Sequence, residues 1–363
     1  MSDFQANWVS PPGETILDIL CDREISKQYF AEQIGLDINC AESLLVGDLE
    51  ITESLAFQLS EVLGPDMDFW INRERQYREG VSKIYRELNS NERDWLKEIP
   101  VSSMQKYGWI PTSKSSSKIF LSCLDFFDVP DIAGWEQQSK SVFGEARFRT
   151  SKSFTQSVGA TSAWLRQGEI NAEAAICESW DREGFVSSFN NIRVLTNEAS
   201  PSVFMPHLKK ICAKFGVALV IAKTPEGCRA SGATKFLSPS KALLLLSFRY
   251  LSDDHFWFTF FHEAAHLVLH GKGSTFIEGE EFNHGLQEAE ANDYASNVLI
   301  PEVHRCEFFE LEPSYKNILK FSRKLGVSPG VVLGQLQYFE RVKMSHFNKL
   351  KVRYSWDELD FSL

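Results

Sequence analysis

The sequence has little of what marks membrane-embedded, secreted or disulfide-stabilised proteins. No apolar run in its 363 residues approaches the roughly 20 residues of a membrane span. Its first residues, MSDFQANWVSPPGE, lack the basic and apolar regions of a secretory signal peptide. The seven cysteines are odd in number and scattered, without a CxxC pair, which argues against a disulfide framework or a thiolate zinc site. These absences predict a cytoplasmic protein with free thiols and no membrane partner.

Basic residues are scarce in the most acidic part of the chain. Between Glu14 and Gly64 there are eleven acidic side chains and two basic ones, so most of the net charge of -11 lies in this segment. Proteins that bind nucleic acid obtain most of their affinity from Lys and Arg at phosphates. An acidic face of this kind repels a phosphate backbone.

The remaining composition is that of an ordinary globular protein long enough for two or three domains, with 43% apolar and 24% charged residues. Helical periodicity dominates, and three apolar stretches near residues 217–248 have strand character. The pattern predicts a mostly helical α+β protein. Its predicted parts are an all-α domain at 1–79, a helical connector at 80–145 with a polar loop at 111–118, a second domain at 146–345 with a small antiparallel sheet, and a tail at 346–363.

A metal-binding pattern lies in the apolar stretch FFHEAAHLVLHG. His262 and His266 are four residues apart, so a helix places them on one face, where both imidazoles can bind one Zn²⁺ at about 2.1 Å. Glu263 between them would act as a general base on water rather than as a ligand. The stretch is apolar all round, and unpaired polar groups buried there would be costly. A bound metal gives both histidines a reason to be inside.

A catalytic zinc site needs a third protein ligand, and the helix predicted downstream offers two glutamates. Glu288 shares a face with small and apolar residues that would pack inward, which favours it as the ligand. Glu290 lies on a more mixed face and is the alternative. Asn292, one turn after Glu288, is positioned to orient a ligand through a hydrogen bond.

Two further polar residues have alternative interpretations. His270 continues the face of His262 and His266, but it is too far along a straight helix to complete a tetrahedron. It either forms a structural hydrogen bond near the helix end or orients a ligand or substrate. Asp254 either caps the start of the helix or holds a ligand histidine through its free ring N–H.

The stretches DDHFWFTFFHEAAHLVLHG and EAEANDYASNVLIP resemble the ImmA/IrrE-type zinc metallopeptidases, a gluzincin-like group. The stretches TSAWLRQGE, FGVALVIAK, SGATKFLSPSKALLLLSFRY and KLGVSPGVVLGQLQ extend the resemblance over roughly residues 145–342. It implies a zincin-like fold with His262 and His266 as zinc ligands, Glu263 as catalytic base and an acidic ligand within 288–292. It also implies cleavage of a repressor or antitoxin-like protein in a stress or phage response.

The N-terminal segment, over about residues 10–79, resembles the Xre/HigA antitoxin-type helix-turn-helix. The similarity lies in PPGETILDIL, FAEQIGL, ITESLAFQLSEVLGPDMDFW and the QYRE that follows. Its recognition helix would be DINCAESLLVGD, in which Asn39 and Ser43 could reach base edges. That helix has no Lys or Arg to hold phosphates. The segment therefore either binds DNA or has become a module that dimerises or binds a protein.

The patterns together predict a zinc-dependent endopeptidase that hydrolyses a peptide bond in a regulatory protein, with a neighbouring gene as the expected source of that partner. An extended substrate would lie along a sheet edge. The alternative is a helix-turn-helix regulator or antitoxin whose peptidase-like domain is a sensor without turnover. The intact Glu263 favours the enzyme, because a structural metal site has no need of a base.

Overall fold

The computed structural model describes residues 10–85, 87–143, 152–271, 276–277 and 285–356. The chain divides into two compact units. The first unit comprises Met1–Ser90 and Ser113–Ser122, and the second comprises Asn91–Thr112 and Cys123–Leu363. Much of the segment predicted as a connector, and the segment predicted as a tail, fall within the second unit.

The first unit is built from helices with short, well-capped connections. They are α1 (Pro12–Asp22), α2 (Lys27–Gln33), α3 (Ile38–Val46), α4 (Glu53–Leu63) and α5 (Met67–Tyr85). The side chains of Ser26, Asp37 and Thr52 accept hydrogen bonds from backbone N–H groups at the starts of α2, α3 and α4. Gly47 and Gly64 end α3 and α4 with left-handed backbone angles that a glycine adopts without strain.

The core of the first unit is formed by the apolar faces of these helices. Ile16, Phe30, Leu44, Leu59 and Trp70 are almost completely buried in it. Full burial of one such side chain stabilises a fold by about 1.5–3 kcal/mol. The acidic residues between Glu14 and Gly64 are all exposed, some on the outer faces of these helices and others in the turns between them.

The other helices of the described chain are α6 (Ser90–Glu98), α7 (Val101–Lys106), α8 (Ser116–Phe127), α9 (Ile132–Phe143), α10 (Lys152–Ala174), α11 (Arg182–Val194), α12 (Pro201–Lys214), α13 (Asp253–Leu269), α14 (Gly285–Leu299), α15 (Arg305–Glu310), α16 (Tyr315–Leu325) and α17 (Pro329–Tyr338). In this described part of the chain, no helix is both long enough and apolar enough to cross a bilayer.

The polar loop predicted at 111–118 is shorter than expected. Helix α8 already begins at Ser116. The Ser115 hydroxyl accepts a hydrogen bond from the backbone N–H of Lys118, at 3.4 Å. Serine side chains form hydrogen bonds to nearby backbone groups, which favours serine both in loops and at the position just before a helix. The serines that indicated a loop therefore also begin a helix.

The small sheet is mixed rather than antiparallel. Its strands are β1 (Val217–Ile221), β2 (Gly232–Ser238), β3 (Lys241–Leu246) and β4 (Phe276–Ile277), in the order β1-β3-β2-β4. The prediction of antiparallel pairing is confirmed for β2 and β3, which form a hairpin. The prediction of an antiparallel sheet is wrong for β1, which pairs parallel to β3 with Val217 opposite Ala242. Both strands are almost continuously buried, as parallel strands covered on both faces are.

Helix α13 lies at the centre of the second unit, in contact with β2, β3, α14 and α17. Fourteen of its seventeen residues are buried, so nearly every face of the helix is covered. Its aromatic residues, including Phe256, Trp257, Phe260 and Phe261, belong to the main apolar core. Polar groups on such a helix must find partners inside the protein.

Candidate metal centre

Three side chains from two helices bring their donor atoms together in the second unit. The Nε2 atoms of His262 and His266 on α13 are 3.1 Å apart. Carboxylate oxygens of Glu288 on α14 lie 3.1 Å from Nε2 of His262 and 3.4 Å from Nε2 of His266. Among the described residues, these three side chains form the group whose ligating atoms lie close enough together to hold a metal ion.

In this donor triangle of His262, His266 and Glu288 the separations of 3.1, 3.1 and 3.4 Å are close to the edge of a zinc tetrahedron, with a different Glu288 oxygen facing each imidazole. Zinc bonds of about 2.1 Å at tetrahedral angles separate neighbouring ligand atoms by about 3.4 Å. Two imidazole nitrogens and one carboxylate oxygen are also a ligand set that zinc takes in catalytic sites, with the fourth position left for water or substrate. The residues present therefore fit a zinc ion in both spacing and chemistry.

Burial and charge keep the donors in the forms that bind a cation. Both histidines are about 1% exposed. Burial lowers the pKa of His266, although a hydrogen bond to Glu288 acts in the opposite direction. Burial by itself would raise the pKa of Glu288, but hydrogen bonds to the two imidazoles lower it to about 2. A neutral imidazole and an ionised carboxylate both offer lone pairs to a metal.

The outer nitrogens of the two histidines also have partners. Nδ1 of His262 lies 3.0 Å from Oδ1 of Asn292 on α14. Nδ1 of His266 lies 3.0 Å from Nδ1 of His270, the residue that ends α13. Asn292 and His270 thus both lie where a residue that orients a ligand histidine would be expected.

Of the two glutamates considered for the third ligand, the structure places only Glu288 beside both imidazoles. The carboxylate of Glu290 instead lies 3.0 Å from Nε2 of His270. Positions 288 and 290 are about 200° apart around a helix, so the face that α14 turns toward α13 admits one and directs the other elsewhere.

Glu263 lies on α13 between the two histidines, and its residue is completely buried. Gly232, the first residue of β2, approaches it closely. A Cβ atom at position 232 would lie 2.5 Å from Oε1 and 2.6 Å from Cγ of Glu263, well inside van der Waals contact. The absence of a side chain at Gly232 thus makes room for the Glu263 carboxylate. Sequence reasoning missed this residue, although a glycine opening an apolar strand is a known sign of close approach.

Asp254 does not hold a ligand histidine, and that expectation is wrong. It precedes His262 by eight residues on the same helix, which corresponds to about 12 Å along the axis. Its carboxylate instead binds Nζ of Lys351, at 2.6 Å, and accepts a hydrogen bond from Ser252, at 2.7 Å. It is not the capping residue either, because the helix begins at Asp253 and Ser252 occupies the N-cap position.

The residues considered for DNA contact both lie on α3 in the first unit. Asn39 is exposed and Ser43 is half-buried. Asp37 opens this helix by accepting hydrogen bonds from the N–H groups of Asn39 and Cys40. The exposed side chains around Asn39 include Asp37 and Glu42, so the outer face of α3 is acidic.

A buried helix that carries HExxH, with a carboxylate supplied by the following helix, is the arrangement of a metallopeptidase-type site. Comparison with known families agrees with this class. Residues 212–337 match the Peptidase_M78 family model, described as an IrrE N-terminal-like domain. The match includes every residue of the donor triangle together with Glu263, and it supports the predicted resemblance to ImmA/IrrE-type peptidases for that part of the chain. A comparison with curated proteins finds no match.

Proposed function

We propose that the protein is a zinc-dependent endopeptidase that hydrolyses a peptide bond in a regulatory protein. The observation that carries this proposal is the donor triangle of His262, His266 and Glu288, which has zinc dimensions and lies beside a buried glutamate. A structural metal site needs only ligands. A carboxylate adjacent in sequence to one ligand, with room made for it by Gly232, adds the group that hydrolysis requires.

The residues of the chain divide the chemistry between them. A bound zinc ion would lower the pKa of water and polarise the scissile carbonyl. Glu263 takes a proton from the attacking water and passes it to the amine nitrogen of the leaving peptide, so one residue acts as base and then as acid. Its complete burial keeps the carboxylate away from bulk water and strengthens its interactions with the reacting groups.

The sheet offers a place for an extended substrate. Gly232, which contacts Glu263, opens β2, and β4 pairs with β2 at the end of the strand order. Unpaired backbone groups of an edge strand can hydrogen-bond to an extended peptide, which then becomes a further strand. We propose that the substrate binds in this way near β4.

We further propose that the substrate is a repressor or antitoxin-like protein encoded near this one. The resemblance of the first unit to antitoxin-type modules supports this proposal. That unit would serve to dimerise or to bind a protein, since the outer face of α3 presents Asp37, Asn39 and Glu42 without a basic residue. The DNA-binding alternative is tested by measuring binding to the upstream promoter region at increasing salt concentrations. That alternative requires measurable binding at low salt.

The experiment for the catalytic proposal separates metal binding from turnover. Zinc content is measured for the wild type and His262→Ala, and zinc is expected in the wild type alone. Wild type and Glu263→Gln are then each co-expressed with the products of adjacent genes, and fragments are identified by mass spectrometry. We expect a cleaved partner with the wild type only. Zinc retention without cleavage in either strain would favour the sensor without turnover.

A further inference from the structure

Helix α13 is covered on all sides except along the line that carries the two histidines of the donor triangle. Fourteen of its seventeen residues are buried, and the three that are not are His255, Phe258 and Leu269. From His255 to Leu269, by way of His262 and His266, these positions follow one another at intervals of three or four residues, so all five share one face of the helix. The stripe that carries the metal donors is therefore also the stripe along which α13 reaches the surface.

Two aromatic rings extend this surface beside His262. The ring centroid of Phe258 lies 6.1 Å from that of His262, with the planes inclined by 32°. The ring centroid of Tyr338 lies 6.0 Å from that of Phe258, with the planes inclined by 34°. Tyr338 is the last residue of α17, which packs against α13, and it is 55% exposed. Phe258 and Tyr338 thus form an aromatic surface that begins one helical turn from a donor of the metal site.

We propose that the aromatic surface of Phe258 and Tyr338 is a specificity subsite, which receives a large apolar side chain from the substrate residue beside the scissile bond. The inference rests on the zinc endopeptidase proposed above. It names the class of peptide bond that this endopeptidase would hydrolyse.

The spacing along α13 agrees with such a role. Four residues of an α-helix rise by about 6 Å, so Phe258 lies about that far along the helix from His262. Consecutive residues of an extended peptide are about 3.3 Å apart. A substrate whose scissile carbonyl lies at the metal therefore has the side chain of an adjacent residue within reach of Phe258.

The chemistry of the surface determines which side chain it prefers. Phe258 packs against the main apolar core, and Tyr338 presents its ring beside it. Such rings shield an apolar side chain from water, and they add stacked or edge-to-face contacts when that side chain is aromatic. A carboxylate would lose hydration there and would meet the negative faces of the rings. We therefore expect phenylalanine to be favoured over alanine and glutamate at this position of the substrate.

The test compares three small ligands of zinc on the zinc-loaded protein: the hydroxamates of phenylalanine, alanine and glutamate. All three bind a metal through the hydroxamate oxygens and differ only in the side chain. Because none has a peptide chain to fix its direction, the side chain can turn to whichever side of the metal offers contact. Isothermal titration calorimetry measures their affinities. We expect phenylalanine hydroxamate to bind about tenfold more tightly than alanine hydroxamate, and glutamate hydroxamate to bind no more tightly than alanine hydroxamate.

Tyr338 is the residue to change, because its exposure means that a smaller side chain leaves no buried cavity. Tyr338→Ala should reduce the preference for phenylalanine hydroxamate to about threefold or less, whereas Tyr338→Phe keeps the ring and should retain the preference. The matched control is Tyr315→Ala on α16. Tyr315 is 44% exposed and its ring contacts that of Phe347, so its loss should leave the preference unchanged. Zinc affinity, measured by chelator competition, should be the same in all three variants as in the wild type.

The outcomes separate the subsite from the proposed function. A wild type that binds zinc but binds phenylalanine and alanine hydroxamates equally would overturn the subsite and leave the proposed function standing. A preference that persists unchanged in Tyr338→Ala would also overturn the subsite. So would a loss of zinc affinity in Tyr338→Ala, because the rings would then support His262 rather than contact a ligand. Absence of zinc binding in the wild type would refute the proposed function, and the subsite with it.

Discussion

The buried ion pair between Asp254 and Lys351 holds the end of the described chain against the start of α13, and it gives a quantitative prediction. Nζ of Lys351 lies 2.6 Å from Oδ2 of Asp254, and the two side chains are only 5% and 6% exposed. At an effective dielectric constant of about 20, the Coulomb attraction at this distance is about 6 kcal/mol. Desolvation of each ion costs several kcal/mol, so the pair as a whole contributes little net stability.

Removing one partner of the pair should cost more stability than the intact pair contributes. Lys351→Met leaves the carboxylate of Asp254 buried without its charged partner, and we expect a loss of about 3–5 kcal/mol in the free energy of unfolding. The matched control is Lys97→Met. Lys97 contacts Asp94 at nearly the same distance, 2.7 Å, but with side chains 74% and 68% exposed. An exposed pair of this kind contributes about 0–1 kcal/mol.

Urea denaturation of the metal-free protein near neutral pH, followed by circular dichroism, measures both losses. The double variant Asp254→Asn with Lys351→Met should recover most of the stability, because no unpaired charge remains. Equal losses for Lys351→Met and Lys97→Met would show that burial does not determine how much free energy of unfolding is lost when an ion pair is broken. A double variant as unstable as Lys351→Met would show that packing of the lysine stem, rather than charge, causes the loss.

Three further outcomes are expected. Gly232→Ala should displace the Glu263 carboxylate by up to about 1 Å and reduce the rate of partner cleavage about 100-fold, with zinc affinity unchanged. The control Gly285→Ala, whose added methyl group meets open space, should change neither the cleavage rate nor the zinc affinity. Full activity of Gly232→Ala would contradict the role of Glu263 as the catalytic base. Burial raises the pKa of Asp253 to about 6 from its ordinary 3.8. The stability that this residue contributes is therefore present below about pH 4 and is lost as pH rises through about 6, a change of roughly 3 kcal/mol. The difference in unfolding free energy between wild type and Asp253→Asn should change over this pH window, and a pH-independent difference would refute the raised pKa. Zinc at a free concentration 100 times Kd should raise the free energy of unfolding by about 2.7 kcal/mol, and EDTA should remove that gain. Thermal denaturation with zinc and with EDTA measures the difference, and an identical melting temperature under the two conditions would argue against a zinc site in the folded state.

The parts of the fold that could be predicted from sequence are those with local causes. Ser26, Asp37 and Thr52 are of residue types that cap helices, and α2, α3 and α4 begin directly after them. The β2–β3 hairpin was equally readable, because a short turn joins two apolar runs. Parallel pairing of β1 with β3 was not readable, since partner and direction depend on chain segments far apart in sequence.

The residues of the candidate site divide in the same way. The four-residue spacing of His262 and His266 determines that they share a helix face, and the adjacent position of Glu263 follows from the same geometry. The apolar residues around them already indicated that this helix is buried, as it is. For α14, helical periodicity favoured Glu288 over Glu290, and the structure places Glu288 beside both imidazoles.

Only the tertiary structure decided the contacts between elements. The packing of β2 on α13 brings Gly232 against Glu263, and the orientation of α14 directs Glu290 to His270 rather than to the donor triangle. Asp254 found its partner in Lys351, nearly a hundred residues away, instead of in a histidine of its own helix. A helical or strand period specifies which side chains share a face. It contains no information on which face of another element will meet them, because that depends on the burial of apolar surface across the whole unit.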